Sequence, residues 1–176
     1  DRPVILNVLL DDLKKSGLLD DENYQLGQFA RRSQSELKMH PYAFIGKQKL
    51  TNKKTGKKLS EEVICEWAAE NHELDYHRID PLEVDVAAIT SAMSYAFSER
   101  HKILAVKVNK EEIVVACSEP TITSWVQDLE HVTRRSVVRM LAMPSEIERH
   151  RVEFYQLANS INRASSQHDG ISGIQN

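Results

Sequence analysis

The sequence is poor in cysteine and has no long apolar segment, and both absences exclude whole classes of protein. Its two cysteines, Cys65 and Cys117, do not belong to a C-x-x-C pair, which argues against a zinc framework or a disulfide scaffold. Two reduced thiols in a cytosolic core are therefore expected. No apolar run approaches the roughly 20 residues that cross a bilayer, and the first residues lack the pattern of a signal peptide.

The sequence also lacks an excess of positive charge. Its net charge is −3, with 28% charged and 41% hydrophobic residues among 176. These values are typical of a soluble globular protein of one ordinary domain or two small ones. A net negative charge argues against binding of nucleic acid by the molecule as a whole, and no nucleic-acid partner is expected.

One stretch, residues 46–60 (GKQKLTNKKTGKKLS), has six lysines and two glycines before an expected helix. A Walker phosphate loop requires a glycine five positions before its Gly-Lys pair and a hydroxyl directly after it. Counted from Gly56 and Lys57, these positions are Thr51 and Lys58. The pattern fails at both, so this chain is not expected to be an enzyme that hydrolyses nucleotides. Without that role, the lysines are interpreted as a solvated loop or as a site for an anionic lipid surface, a phosphate-bearing ligand or an acidic partner.

Neither a catalytic nor a metal site is predicted. The seven histidines include no H-E-x-x-H pair, the spacing that puts two ligands on one helix face. His150, in the run ERHR, is expected on the solvated face of a helix. The runs of acidic residues lie at predicted helix starts and turns, where capping and solubility explain them.

Residues 1–73 are predicted to form a helical subdomain. One apolar stripe predicts a helix from about Pro3 to Ser16, and its members are Leu6, Leu9, Leu10 and Leu13. Asp20 is expected to cap a second helix, closed by Pro41, with Leu26, Phe29, Ala30 and Leu37 on its apolar stripe. Ser60 is expected to cap a third, with Val63, Ile64 and Trp67 as its apolar residues.

The pattern changes near the turn at Asp80-Pro81, and residues 74–161 are predicted to form a second subdomain. A helix is followed by alternating runs at 103–108 and 112–117, which indicate a hairpin. A further helix, a third strand and a last helix to about Ile161 follow, and a right-handed crossover is expected to place the third strand beside the first. The predicted class is α+β, a helical subdomain followed by a small three-stranded sheet packed with helices. Residues 162–176 are polar and without periodicity, which is typical of a flexible linker.

The order of elements from residue 78 to 120, RIDPLEVDVAAITSAMSYAFSERHKILAVKVNKEEIVVACSEP, resembles the N-terminal domain of type II secretion E proteins and type IV pilus assembly ATPases. The likeness includes the Ser118-Glu119-Pro120 turn after the hairpin and the Ser145-Glu146-Ile147 start of the last helix. The resemblance extends over about residues 4 to 161. It depends on the order and spacing of the motifs, not on any single motif.

The resemblance implies a non-catalytic docking or regulatory module. Its expected partners are the cytoplasmic domain of an inner-membrane platform protein and the motor's own C-terminal ATPase domain, in a hexameric full-length protein. It places the chain in the cytoplasm, peripheral to the bacterial inner membrane. ATP and Mg are expected only in a further C-terminal domain, to which residues 162–176 would lead, and no cofactor is expected in this chain. Secretion, pilus and transformation machines remain open.

Some members of that family bind cyclic di-GMP through an Arg-Leu-Gly…Gly-Leu-Leu…Gln pattern that occurs twice. Aligned on Gly17, the first copy here has Val8 for the arginine, Leu10 for the glycine and Arg31 for the glutamine. The second copy has Phe44 for the arginine. A lost charge-assisted contact costs about 1.5–3 kcal/mol, so cyclic di-GMP sensing is the alternative function, with weak or absent binding expected.

Two groups of residues are predicted to serve docking. Beside the core stripe of the first helix lie further apolar residues, and a helix apolar over so much of its circumference needs a second apolar neighbour. These candidate partner-binding residues are Val4, Ile5 and Val8. The candidate anion- or lipid-binding residues are Lys53, Lys54, Lys57 and Lys58, on a loop expected to be long and flexible.

Overall fold

The computed structural model describes the backbone of residues 1–174 and the side chains of residues 1–166. The first part of the chain is helical, as predicted. It consists of α1 (Leu6–Lys15), α2 (Asp21–Gln28), α3 (Gln34–Leu37), α4 (Pro41–Lys47) and α5 (Glu61–Asn71).

Side-chain caps fix where these helices begin. The Asp20 carboxylate accepts a hydrogen bond from the Asn23 N–H of α2, and the Ser60 hydroxyl accepts one from the Val63 N–H of α5. Each cap satisfies a backbone donor that the first helical turn leaves without a partner. Both predicted caps are confirmed.

The prediction that one helix continues from Asp20 until Pro41 closes it is wrong. α2 ends at Gln28, and Pro41 is the first residue of α4, not the end of a helix. Proline suits this position because the first helical N–H has no intrahelical partner to lose. His40 caps α4, because its Nδ1 accepts from the Tyr42 N–H at 3.1 Å.

The second part of the chain contains a sheet and the helices that pack on it. Its elements are α6 (Val86–Ala92), α7 (Tyr95–His101), β1 (Leu104–Val108), β2 (Glu112–Cys117), α8 (Ser124–Thr133), β3 (Ser136–Leu141) and α9 (Pro144–Ile174). β1 and β2 form the predicted antiparallel hairpin. In the described part of the chain the sheet has three strands, so the predicted α+β class is confirmed.

The predicted position of the third strand is wrong. The order is β1-β2-β3, and β3 runs parallel to β2 with Glu112 opposite Ser136 and Cys117 opposite Leu141. The crossover through α8 therefore ends on the free edge of β2, leaving β1 at the other edge. β2 is therefore the central strand and is hydrogen-bonded on both sides. Its residues 115–117 are fully buried.

Two clusters of buried side chains hold the fold together. One lies among α1–α5 and includes Leu10, Leu13 and Phe44. The other lies around the sheet and includes Ile89, Trp125 and Phe154. The division into subdomains at residues 1–73 and 74–161 remains a proposal, which these two clusters support.

The clusters meet at the end of β3. Leu141 is fully buried and packs in the helical cluster. Its N–H donates to the Asp75 carbonyl at 2.9 Å, and its carbonyl accepts from the His77 N–H at 2.7 Å. The segment between the two parts of the chain is therefore attached to the sheet by backbone hydrogen bonds.

Residues 162–176 were predicted to form a flexible linker. The backbone of residues 162–174 is helical and continues α9 to Ile174. Polar side chains do not prevent this, because serine, glutamine and arginine carry only small helix penalties relative to alanine. Residues 175 and 176 of the expected linker lie outside the described residues, and a connection to a further domain stays a prediction. No helix among the described residues is both long and apolar enough to cross a membrane.

The two cysteine thiols are buried, Cys65 in α5 and Cys117 at the end of β2. Burial raises the pKa of Cys65 far above its ordinary value and raises the pKa of Cys117 to about 11. A thiol is a nucleophile only as the thiolate, so both behave as small apolar groups at neutral pH.

Candidate docking surface

The N-cap and the outer face of α1 carry two of the three predicted partner-binding residues. Ile5 is 55% exposed and Val8 is 52% exposed, three residues further along the chain. Val4 is only partly buried and packs against the helical cluster. Its N–H donates to Glu119 Oε2 at 2.7 Å. Ile5 and Val8 thus form an apolar surface that this chain leaves uncovered, while Val4 fixes the start of the chain to the second part of the fold.

Three further exposed apolar residues were wrongly assigned to a buried stripe. Leu26, Phe29 and Leu37 are 57%, 75% and 58% exposed. For Leu26 and Phe29 the reason is that α2 faces α1 through Gly27, since a Cβ on Gly27 would lie 2.7 Å from Leu10 Cδ2. Leu37 belongs to the separate helix α3. A glycine inside a helical pattern indicates a close approach, and this signal in the sequence could have placed Leu26 and Phe29 outside.

The lysine-rich segment is an ordered turn, so the predicted long, flexible loop is wrong. Thr51 and Lys58 form an antiparallel bridge, and the Leu59 N–H donates to the Leu50 carbonyl at 2.7 Å. The Lys53 N–H donates to the Leu18 carbonyl at 2.8 Å, which ties the turn to the segment after α1. Gly56 closes the turn with φ +72°, a conformation that costs glycine little.

All four predicted anion-binding lysines of this turn, Lys53, Lys54, Lys57 and Lys58, are exposed. Lys58 and Lys49 line a cavity of about 810 Å³ together with Leu26 and Phe29. The structure therefore brings cationic side chains of the turn next to the exposed apolar residues of α2. This juxtaposition combines apolar contact with positive charge on one surface.

Two of the four residues that replace the cyclic di-GMP motif lie in the helical core. Leu10 and Phe44 are each 1% exposed, whereas Val8 and Arg31 are exposed. Gly17 has φ +81°, which preserves the turn after α1. Apolar side chains buried at the arginine and glycine positions offer a phosphate no charged donor.

The expectation for His150 is wrong. Its side chain is buried, with the imidazole stacked on Phe154 and Nδ1 3.2 Å from Glu153 Oε2. This burial is not evident from the polar run ERHR alone. Among the described residues, the structure places no group of three histidine, cysteine or acidic side chains around a common metal position.

Comparisons with known proteins identify the family of the chain. Residues 72–161, just over half of the chain, match the MshEN domain family. The type IV pilus assembly ATPase TfpB of Acinetobacter baylyi is 32% identical over 159 residues, which cover 89% of this chain and 27% of that protein. The chain thus spans about a quarter of the length of this curated relative.

A solved structure shares the fold. The structure of MshE with cdg superposes with a TM-score of 0.53 at 15% identity, covering 84% of this chain and 98% of that one. The N-terminal domain of XpsE superposes less closely, with a TM-score of 0.48, also at 15% identity, covering 88% of this chain and 98% of its own. From the family match and the pilus assembly relative, the chain belongs to the MshEN domain family, which confirms the resemblance of its sequence to the N-terminal domains of secretion and pilus assembly ATPases.

Proposed function

We propose that this chain is the non-catalytic docking module of a secretion or pilus assembly ATPase and recruits that motor to an inner-membrane platform protein. The observation that carries the proposal is the uncovered apolar face of α1, where Ile5 and Val8 are each more than half exposed. Contiguous exposed apolar patches mark sites of protein binding, because binding removes them from contact with water.

The lysine turn has a different role in this proposal. Lys53, Lys54, Lys57 and Lys58 are exposed on a molecule of net charge −3, so the turn is a local positive surface. Such a surface accelerates encounter with an acidic partner or an anionic membrane and contributes less to the lifetime of the complex. ATP hydrolysis with Mg and assembly into a hexamer belong to the motor domain in this proposal, and the module acts at the cytoplasmic side of the inner membrane.

Variants of the two surfaces should change different rate constants of binding to the platform protein's cytoplasmic domain. Replacing Ile5 and Val8 by serine should mainly speed dissociation, because apolar contact area is lost. Replacing the four lysines by alanine should slow association and flatten its dependence on salt. Surface plasmon resonance at several salt concentrations measures both.

The matched control is Val132→Ser on α8, where an equally apolar side chain is 77% exposed on the sheet part of the chain. It should leave both rate constants unchanged. Binding that is unaffected by the α1 and lysine variants would show that the surface is wrong. A platform protein that does not bind the unmodified chain would contradict docking itself.

The second candidate function is cyclic di-GMP sensing, which is favoured by the likeness of fold to MshE, solved with cdg. We expect binding that is weak or absent, because the buried Phe44 replaces an arginine of the motif and the buried side chain of Leu10 replaces a glycine. Isothermal titration calorimetry at physiological salt measures this, and a micromolar or tighter dissociation constant would contradict the expectation. In that case the lysines of the turn are the first phosphate contacts to replace.

A further inference from the structure

A second cavity, of about 650 Å³, opens between the helical part and the sheet part of the fold. Four segments distant in sequence form it: the residues between α3 and α4, the end of α7, the end of β2 with the turn after it, and the first turns of α9. No residue predicted to serve docking lines this cavity. This cavity is a cleft between the two parts of the fold.

The cleft contains a buried arginine without a carboxylate partner. Arg151 of α9 is 4% exposed, and its Nε donates to the Ser98 hydroxyl oxygen at 3.2 Å. Among the side chains that the structure describes, no carboxylate lies within 4 Å of its guanidinium. Buried charges are normally paired, because removing them from water is costly. Arg151 therefore supplies an unneutralised positive charge to the wall of the cleft.

Further cations surround this arginine. Lys38, Arg100 and Lys102 line the cleft from exposed positions, and none of them is ion-paired within the described part of the chain. Positive charge therefore exceeds negative charge in the cleft, although the chain as a whole is negative.

Two carboxylates face these cations. Glu119 is already engaged, since Oε2 accepts from the Val4 N–H and Oε1 lies 2.7 Å from His40 Nε2. Glu148 is exposed at the mouth of the cleft. Glu148 is thus the one carboxylate of the cleft, within the described residues, that has no fixed hydrogen-bond donor of its own.

The rest of the lining is mostly apolar, with polar side chains at His40, His101, Ser118 and Ser145. Its apolar residues are Met39, Ala43, Ile122, Pro144 and Ile147. Concave sites with apolar walls and a few convergent charged groups are the usual form of small-molecule sites. An inorganic anion would leave these walls in contact with water, whereas an organic anion would cover them.

We propose that the cleft binds a small organic phosphate, with its phosphate held by Arg151, Arg100 and Lys102 and its organic part against the apolar walls. A phosphate monoester carries about −1.5 to −2 charges and three acceptor oxygens, which suits several cations better than a single carboxylate does. Because the cleft joins both parts of the fold, an occupant would contact residues of each.

The test uses phenyl phosphate as the probe and follows the backbone amides of the whole chain by two-dimensional NMR. Changes in the chemical shifts of the backbone amides are expected around Ser98–Lys102, Ser118–Glu119 and Ile147–Arg151. Inorganic phosphate should bind the same residues about tenfold more weakly, because it leaves the apolar walls uncovered. Phenol, which is neutral, should not bind.

Charge variants locate the site. The double substitution Arg100→Gln with Lys102→Gln removes two exposed charges. It should weaken the binding of phenyl phosphate at least about tenfold. The matched control, Lys107→Gln with Lys110→Gln, removes two exposed charges from the hairpin, outside the cleft, and should leave the affinity unchanged. Glu148→Gln should strengthen binding, since it removes a repelling carboxylate. Arg151→Gln should abolish binding, and the exposed double variant decides the question if the buried one does not fold.

Three results would overturn the proposal. One is the absence of shifts up to about 10 mM phenyl phosphate, beyond the millimolar range of a weak ligand. Another is a pattern of amide shift changes confined to the lysine turn, with the cleft variant leaving the affinity unchanged. The third is equal affinity for phenol, which would make the cleft an apolar pocket without phosphate recognition.

Discussion

The substitution Gly46→Ala is expected to lower the free energy of unfolding by about 3 kcal/mol. This value is at the upper end of the destabilisation that overpacking usually causes. A Cβ on Gly46 would lie 2.5 Å from the backbone N and 2.9 Å from the Cα of Glu61. These are backbone atoms at the start of α5, so no side chain can rotate to make room. α4 and α5 would have to separate, which disturbs the helical cluster that they share. The gain in helix propensity from glycine to alanine, about 1 kcal/mol, offsets only part of this cost.

Urea unfolding of the variant measures the effect, and Gly56→Ala is the matched control. A Cβ on Gly56 would meet no atom within 4 Å, but the residue has φ +72°, so its substitution should cost only the roughly 1–2 kcal/mol of left-handed backbone. A Gly46→Ala chain as stable as the parent would show that α4 and α5 do not approach as closely as described. Because residues 48–60 join these two helices, the variant should also displace the lysine turn.

The substitution Glu119→Gln is expected to cost about 1–3 kcal/mol and to loosen the start of the chain, because it leaves a partly buried donor without an acceptor. The two oxygens of Glu119 serve two donors. Oε2 accepts from the Val4 N–H, and Oε1 faces His40 Nε2, both at 2.7 Å. Since His40 Nδ1 accepts from the Tyr42 N–H, the hydrogen-bond network assigns the proton to Nε2. A glutamine amide has only one acceptor oxygen, so its NH₂ group must face one of these donors.

Hydrogen exchange measures the local loss of protection. Chemical denaturation measures the change in the free energy of unfolding. The amides near Val4 and Tyr42 should exchange faster, whereas those of β2 should change little. Glu148→Gln is the control, because this exposed carboxylate takes part in no ion pair within the described residues and should have no measurable effect on stability. Unchanged exchange at Val4 in the Glu119→Gln chain would mean that this carboxylate does not hold the two parts of the fold together.

The sequence by itself determined the features that depend on neighbours in the chain. The caps at Asp20 and Ser60 and the hairpin of β1 and β2 follow from local hydrogen bonding and alternation. The order of these elements was sufficient to indicate the family. The failure of the Walker pattern at Thr51 and Lys58 is likewise a property of the sequence alone.

Only the tertiary structure decided which faces are covered and which distant residues meet. Leu26 and Phe29 are exposed because Gly27 brings α2 against α1, and His150 is buried although it lies in the polar run ERHR. The cleft joins Lys38, Arg100 and Arg151, although more than 100 residues separate the first from the last. Helical periodicity specifies that a helix has an apolar face, but the packing of other elements determines what covers that face. For the same physical reason, the docking residues on α1 could be proposed from sequence, whereas the cleft could not.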